Sequence, residues 1–365
     1  MAEDAPDRLR QFSFRVYSKL EGAFTAGMIH LGDRLGLYQA MAAADGPVTS
    51  QELADATELQ ERWVREWLHN QAAAKLIELE ADGGASEGGV DRFGMSGEAR
   101  AVLASPRHPA FGMGMFHRLP QTMQALEVMP ESFRTGLGHD YDSHGTEGAV
   151  GIERSFEPWN NHNLLRKVLP AMDGVVEMLE AGASVADVGC GAGGAVLLMA
   201  EAFPNSSFVG YDISLHALDR ANAKLAESGF TNVRFADPRD QPLPADGSVD
   251  LVTTFDCVHD MAHPTPVVEA IRSALGDHGH WLLVDIRAGE TLSENIEMNP
   301  MASLLYGVSV LACMSSALSE PGGEGLGTLG LPASKAQEMA TAAGFTGFSE
   351  LDVQHPMNAF YEVRP

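Results

Sequence analysis

The chain has 365 residues, of which 45% are hydrophobic and 20% are charged. This length suits two domains, and this composition is typical of globular proteins with enough apolar residues to bury a core in each. The formal net charge of −26 opposes the approach of a nucleic-acid backbone or an anionic lipid surface. We therefore expect neither as a partner.

The cysteines and the first residues of the chain give information about the cellular compartment of the protein. Cys190, Cys257 and Cys313 show no CxxC spacing, so we predict neither a disulfide scaffold nor a metal site. The start, MAEDAPDRLR, is acidic rather than basic, and the longest apolar run, residues 306–318, is too short to span a bilayer. We expect a cytoplasmic protein without a membrane segment.

Residues 1–110 have mainly helical patterns and form the first predicted domain. Apolar residues spaced by three and four predict an amphipathic helix over 24–41, and a Ser/Thr cap predicts a short helix over 48–57. A longer helix running into an extended tail is predicted over 58–82, followed by a turn and strand pair over 83–96. This order is that of a winged helix-turn-helix.

The charges of the third helix argue against DNA binding by this domain. Glu58 and Glu61 stand at the N-terminus of the candidate recognition helix, and Glu66 lies beside Arg62 and Arg65. Carboxylates are poorly placed at a helix N-terminus that should face phosphates. The pattern favours a role in homodimer formation or docking.

Residues 111–170 form a predicted bridge rich in Pro, Gly, His and aromatic residues. Its middle, GLGHDYDSHGTEGAVG, has loop composition. The histidines and aspartates of residues 139–144 fit no common metal-ligand spacing, which favours a polar loop. Trp159, in FEPWNN, is predicted to line the substrate pocket or to stack on the adenine, with plain core packing as the alternative.

Residues 171–365 alternate between apolar strands and helices, which predicts a doubly wound α/β sheet. Predicted strands are SVADVG, SSFVGYDIS, TNVRFAD, VDLVTTFD and HWLLVDIR, and a closing hairpin of FSELDVQH and MNAFYEVRP adds one antiparallel strand. An insertion over residues 289–330 has a Met-rich helical part. Its Met301 and Tyr306 are predicted to form an apolar wall over the substrate, with packing against the N-terminal domain as the alternative.

The first of these strands leads into a glycine turn, VADVGCGAGG, with an acid inside the strand. Gly189, Gly191 and Gly194 satisfy the dinucleotide pattern GxGxxG. The carboxylate of Asp187 would repel a pyrophosphate there, whereas it suits a ligand with an ammonium group and a sulfonium, such as S-adenosylmethionine. A nicotinamide-dependent oxidoreductase stays open as an alternative.

DVGCGAGG resembles the first motif of class I S-adenosylmethionine-dependent methyltransferases. The resemblance implies a seven-stranded, mostly parallel Rossmann-like sheet, with Asp212 on the ribose hydroxyls and Asp237 near the adenine amine. The alternative is that neither residue binds a ligand: Asp187 only caps the turn, and Asp212 only faces solvent. The predicted cofactor-binding residues are Asp187, Gly189, Cys190, Gly191, Gly193, Asp212, Ile213, Ala236, Asp237, Phe255 and Asp256.

The fourth strand ends in FDCVHDMAHP, which is similar to a segment of two-domain O-methyltransferases. In that family the histidine is the general base and the winged domain mediates dimerisation. The resemblance assigns the base to His259, followed by Asp260, although Met261 replaces the family's tryptophan. A histidine also suits removal of a hydroxyl proton at neutral pH. A capping or loop histidine without chemistry is the alternative.

Together these features predict a methyltransferase that acts on a small organic molecule, at oxygen. The whole layout also resembles actinobacterial methyltransferase-like proteins of unassigned substrate, so this resemblance does not identify the methyl acceptor. A winged-helix transcriptional regulator that senses the cofactor is the second alternative.

Overall fold

The computed structural model describes residues 5–80 and 90–365. These residues form two compact units, one of residues up to Pro120 with Arg154–Trp159, and one of Gln121–Glu153 with Asn160–Pro365. Of the turn and strand pair predicted over residues 83–96, residues 83–89 lie outside the described residues. Among those described, no helix combines the length and apolar character needed to cross a membrane.

The first unit contains the predicted helices and hairpin in the predicted order. Its elements are α1 (Ala5–Arg34), α2 (Leu37–Ala43), α3 (Ser50–Thr57), α4 (Glu61–Ala73), β1 (Glu78–Glu80), β2 (Arg92–Gly94), α5 (Gly97–Ala99) with the π-helical turn Arg100–Ala104, and α6 (Met113–His117); α7 (Leu119–Gln124) follows at its end. β1 and β2 pair antiparallel. Tyr38, Leu53 and Leu68 are buried in its core.

Two local features decide where these helices begin and end. The helix predicted over 24–41 is two helices, because Gly36 adopts a left-handed φ of 70° between them. α3 begins at a capping box, in which the side chain of Thr49 accepts from the backbone of Glu52 and the Glu52 side chain accepts from the backbone of Thr49. The longer helix predicted from residue 58 ends at Ala73.

The bridge is more helical than its composition predicts. α8 (Met129–Thr135) is followed by a 3₁₀ turn, Tyr141–His144, and by α9 (Gly145–Asn163), which continues into the π-helical turn Leu164–Val168. The prediction of a loop is therefore wrong from Gly145 onward. Within the second unit, Glu153 of α9 pairs with Arg220 and with Lys224. Such partly buried ion pairs are tertiary contacts, which override local propensity.

The second unit is built on a seven-stranded sheet. Its strands are β3 (Ser184–Val188), β4 (Ser207–Tyr211), β5 (Val233–Ala236), β6 (Val249–Phe255), β7 (Leu275–Ile286), β8 (Gly347–Glu350) and β9 (Asn358–Arg364), in the order β5-β4-β3-β6-β7-β9-β8. β3 to β7 pair parallel, and β9 is antiparallel to both neighbours. The prediction of one antiparallel strand in a doubly wound sheet is confirmed.

The remaining helices connect and cover these strands. They are α10 (Val175–Ala181), α11 (Gly194–Ala202), α12 (Leu215–Ser228), α13 (Pro264–Ala274), α14 (Leu292–Met298), α15 (Ala302–Val308), α16 (Met314–Ala317) and α17 (Ala333–Ala342). Val252, Trp281 and Leu283 are buried at the centre of the sheet. Strand order reverses beside β3, so the carboxyl ends of β3, β4 and β6 form the crevice where such sheets bind ligands.

Candidate active site

The turn after β3 carries the glycines of the predicted cofactor motif. Gly189 and Gly193 adopt φ values of 74° and 73°, in the left-handed region that favours glycine. The backbone N–H groups of Gly189 and Cys190 both donate to the carbonyl of Tyr211, at 2.8 and 3.0 Å. A Cβ on Gly193 would lie 2.4 Å from the ring of Phe235. The turn is thus packed against β4 and β5 and leads directly into α11.

Asp187 is a buried carboxyl group inside β3. Its Oδ1 accepts a 2.6 Å hydrogen bond from the hydroxyl of Thr253 on the neighbouring β6. Burial raises the pKa of Asp187 to about 7, against the lowering effect of that hydrogen bond, and repulsion by Asp212 adds to the rise.

Asp212 follows β4 and connects the glycine turn to α12. It accepts from the backbone N–H of Gly191 at 2.7 Å and from that of Ser214 at 2.8 Å. The hydroxyl of Ser214 donates to Asp142 at 2.6 Å, which brings the bridge to the same place. Burial raises the pKa of Asp212 in spite of these hydrogen bonds, and Asp142 contributes by repulsion.

The acid after β5 is held by an arginine. Asp237 accepts from Arg239 Nε at 2.9 Å, and the same guanidinium donates to the carbonyl of Ile213 at 2.8 Å. The hydrogen bond from Arg239 lowers the pKa of Asp237. Ile213 is 47% exposed and Ala236 is buried, with the Ala236 carbonyl accepting from the backbone of Asp212.

Strand β6 ends in Phe255, and the next residue, Asp256, has a strained backbone with a φ of 49°. Its Oδ1 accepts a 2.5 Å hydrogen bond from the side-chain amide of Asn358 on β9. Desolvation and repulsion by Asp285 raise the pKa of Asp256 to about 7.

His259 forms a buried pair with Asp285. Nδ1 of His259 lies 2.6 Å from Oδ1 of Asp285, the penultimate residue of β7. A carboxylate only accepts, so Nδ1 carries the proton and Nε2 is the nitrogen that remains for acid–base work. Burial lowers the pKa of His259, but attraction to Asp285, the hydrogen bond with Asp285 and the nearby Cys313 outweigh it and raise the pKa well above 6.5.

Four further residues are predicted for the catalytic or substrate site. Asp260 follows His259 in the 3₁₀ turn Val258–Asp260. Met301 and Tyr306 are 42% and 38% exposed in the insertion. Trp159 lies in α9, within the other compact unit. Placement of the last three residues at the substrate stays a prediction.

The structure adds residues that sequence reasoning missed. Thr253, Asp285 and Asn358 form hydrogen bonds with predicted site residues, as described above, and Cys313 lies close to His259. One signal was available for Asp285, since it stands near the end of the predicted strand HWLLVDIR, as the other acids stand at or near the ends of theirs. Cys313 and Asn358 come from segments far along the chain and carry no local signal.

The electrostatics at the carboxyl ends of β3, β4 and β6 favour a cationic ligand. Asp187, Asp212 and Asp256 receive their hydrogen bonds from neutral donors, namely a hydroxyl, backbone N–H groups and an amide. All three pKa values are raised, which means that the surroundings disfavour the ionised form of these carboxyls relative to water. A ligand with positive charge near them would be stabilised, and a diphosphate would be repelled.

Comparisons with known families match both parts of the chain. Residues 179–344 match the family described as a methyltransferase domain, and residues 23–85 match the Rv2258c-like winged HTH domain. No curated protein matches the sequence. The chain thus combines a winged helix-turn-helix domain with a methyltransferase domain.

Solved structures share this fold over the whole chain. The structure of human N-acetylserotonin methyltransferase in complex with SAM is 18% identical, with a TM-score of 0.67 over 100% of this chain and 98% of that one. The mitomycin 7-O-methyltransferase MmcR is 19% identical, with a TM-score of 0.69 over 99% of both chains. A protein from Nostoc punctiforme that is described as an O-methyltransferase is 14% identical, with a TM-score of 0.71 over 100% of both chains.

Proposed function

We propose that this chain, a methyltransferase by its domain, transfers the methyl group of S-adenosylmethionine to an oxygen of a small organic molecule. The observation that carries the proposal is the group of carboxyls with raised pKa values at the ends of β3, β4 and β6. S-adenosylmethionine brings an ammonium and a sulfonium to that edge. Structural neighbours include enzymes solved with SAM or SAH, which supports the same cofactor here.

In this proposal the glycine turn and the three acids hold the cofactor. Gly189, Gly191 and Gly193 leave room for close approach of the ligand to the turn. Asp187 and Asp256 lie toward its methionine end, and Asp212 lies toward its ribose. The 47% exposed Ile213 offers an apolar surface to the adenine, with Ala236 and Asp237 behind it. Alignment of donor and acceptor is the main task in an in-line methyl transfer.

His259 is the proposed base, with Asp285 as its positioning residue. The acceptor O–H gives its proton to His259 Nε2 while the oxygen attacks the methyl carbon. The carbon–sulfur bond breaks, and its electron pair stays on sulfur as the neutral thioether. Asp285 fixes the tautomer and stabilises the imidazolium that forms. The raised pKa favours imidazolium, and a sulfonium close to the ring would lower that pKa and free the base.

A methyl-transfer screen tests this proposal directly. The protein is incubated with S-adenosylmethionine labelled in its methyl group and a library of hydroxylated small molecules. With an acceptor in hand, His259→Ala should slow single-turnover transfer by about 10²- to 10⁴-fold. Affinity for S-adenosylhomocysteine should stay unchanged, which separates loss of the base from loss of the cofactor. An unchanged transfer rate would remove His259 from the role of base.

The winged domain is proposed to form a homodimer rather than to bind DNA. Exposed apolar side chains follow one stripe of α1, at Leu9, Phe12, Val16, Leu20 and Phe24, and each is more than half exposed. Spacing by three and four puts these side chains on one face of the helix. A contiguous exposed apolar face is typical of a protein–protein interface. We propose a second copy of the chain as its partner.

The surface of α4 supports the same assignment. Arg62 pairs with Glu66 at 2.5 Å, and Arg65 pairs with Glu61 at 2.9 Å. Both arginines of the candidate recognition helix are therefore neutralised by carboxylates on the same helix, whereas DNA binding needs positive charge that remains available for phosphates.

Cys190, Cys257 and Cys313 are free thiols, which suits the proposed cytoplasmic location.

A further inference from the structure

Cys313 of the insertion faces the proposed base. It ends a π-helical turn, Ser309–Cys313, and its Sγ lies within 4.8 Å of a ring nitrogen of His259. Single π-helical turns within helices occur frequently at functional sites. One ligand atom each from His259, Asp260 and Cys313 lies within 4.8 Å of the other two. The three side chains thus present nitrogen, oxygen and sulfur to one point.

The surroundings of His259 match those of a metal-binding histidine. Metal-ligating histidines almost always donate their other ring N–H to a carboxylate or carbonyl, which orients the ring. Nδ1 of His259 makes such a bond with Oδ1 of Asp285 at 2.6 Å, and the backbone N–H of Ile286 holds the same oxygen at 2.8 Å. Oδ2 of Asp285 is buried without a hydrogen-bond partner. A cation close to the ring would stabilise this otherwise unsatisfied carboxylate.

Distances and donor types favour a zinc-like ion. Zinc holds nitrogen, oxygen and sulfur ligands at about 2.0 to 2.3 Å, so two ligands of one tetrahedral ion lie about 3.3 to 3.8 Å apart. The three atoms all lie within 4.8 Å of one another, so side-chain movements of at most about 1.5 Å would bring them to these separations. A thiolate with an imidazole selects zinc-type transition metals over magnesium or calcium.

We propose that His259, Asp260 and Cys313 form a binding site for a divalent transition-metal ion of the zinc class. The ion occupies the ring nitrogen that an acceptor hydroxyl needs, so metal and acceptor exclude each other. Methyl transfer is then reversibly blocked by the metal. Only this last consequence rests on the proposed function; metal binding itself does not. Three protein ligands leave one position of a tetrahedral ion for water.

Metal binding is measured on the full-length chain, purified free of metal, by competition for Zn²⁺ with a chromophoric chelator. We expect one equivalent for the wild type and loss of that equivalent in Cys313→Ser. Cys190→Ser, which removes a buried thiol elsewhere, should keep it. Asp285→Asn should weaken Zn²⁺ by about 10- to 100-fold, as expected when the carboxylate that orients a ligating histidine is lost. Circular dichroism establishes that each variant is folded.

Cobalt gives a readout that does not depend on any variant. Co²⁺ bound to the wild type should show a thiolate-to-metal charge-transfer band, which Zn²⁺ displaces. Absence of that band, or equal Zn²⁺ binding by the wild type and Cys313→Ser, would overturn the metal site. Failure of S-adenosylhomocysteine to bind while the cobalt band is present would reject the proposed function and leave the metal site standing.

Discussion

Lowering the pH from about 8 to about 6 should weaken the binding of S-adenosylmethionine, because Asp187 and Asp256 take up protons over that range. The pKa of each carboxyl is raised to about 7 in the ligand-free protein. The cofactor's positive charge favours the ionised carboxylates and lowers both pKa values. Binding at neutral pH therefore releases protons, and affinity rises with pH.

The size of the effect follows from these pKa values. A carboxyl with a pKa of about 7 is about nine-tenths ionised at pH 8 and about one-tenth ionised at pH 6. If binding requires one such group to be ionised, the affinity falls by about tenfold, which is about 1.4 kcal/mol. If both Asp187 and Asp256 are required, the fall is about 100-fold.

Isothermal titration calorimetry across this pH range measures the affinity. Repeating each titration in buffers with different ionisation enthalpies counts the protons released. Asp187→Asn should lose about half of the pH dependence, because one of the two titrating groups is gone. Asp237→Asn is the matched control and should keep all of it, since Arg239 already lowers the pKa of Asp237. A wild-type affinity that is constant over this range would refute the reasoning, as would an Asp187→Asn variant with the full dependence.

Two further predictions concern the glycine turn and the dimer. Gly193→Ala should lower the free energy of unfolding, measured with urea, by about 2–5 kcal/mol, because a positive φ costs about 1–2 kcal/mol and the contact with the Phe235 ring adds about 1–3 kcal/mol. Gly191→Ala, whose Cβ meets no atom within 4 Å, should lose only the contribution of the positive φ. Equal losses in the two variants would contradict this packing. Val16→Glu should convert a dimer to a monomer in light scattering after size exclusion, while Gln11→Glu on the opposite face of α1 should not. A wild-type chain that is monomeric would reject the dimer.

Much of the second unit was predictable because its signals are local. Alternating apolar strands and helices define a parallel sheet, and the carboxyl ends of such strands share one edge. Asp187, Asp212 and Asp256 could therefore be placed near one another from their positions at strand ends. The antiparallel β9 followed from the closing hairpin.

What the sequence did not reveal depends on contacts between distant segments. Asp285 and Cys313 meet His259 only after β7 and the insertion have folded back on the 3₁₀ turn after β6. The first residues of α9, 145–151, belong to the segment that its composition predicts as a loop, whereas the ion pairs of α9 with α12 form only in the folded chain. The break at Gly36 depends on a left-handed φ that helical periodicity does not report.

The most direct test of the central claim is a pair of calorimetric titrations of the purified chain, one with S-adenosylhomocysteine and one with NAD. The carboxylate of Asp187 beside the glycine turn should admit the nucleoside that lacks phosphate and exclude the one that carries a diphosphate. We therefore predict saturable binding of S-adenosylhomocysteine and none of NAD. Binding of NAD without binding of S-adenosylhomocysteine would contradict the account.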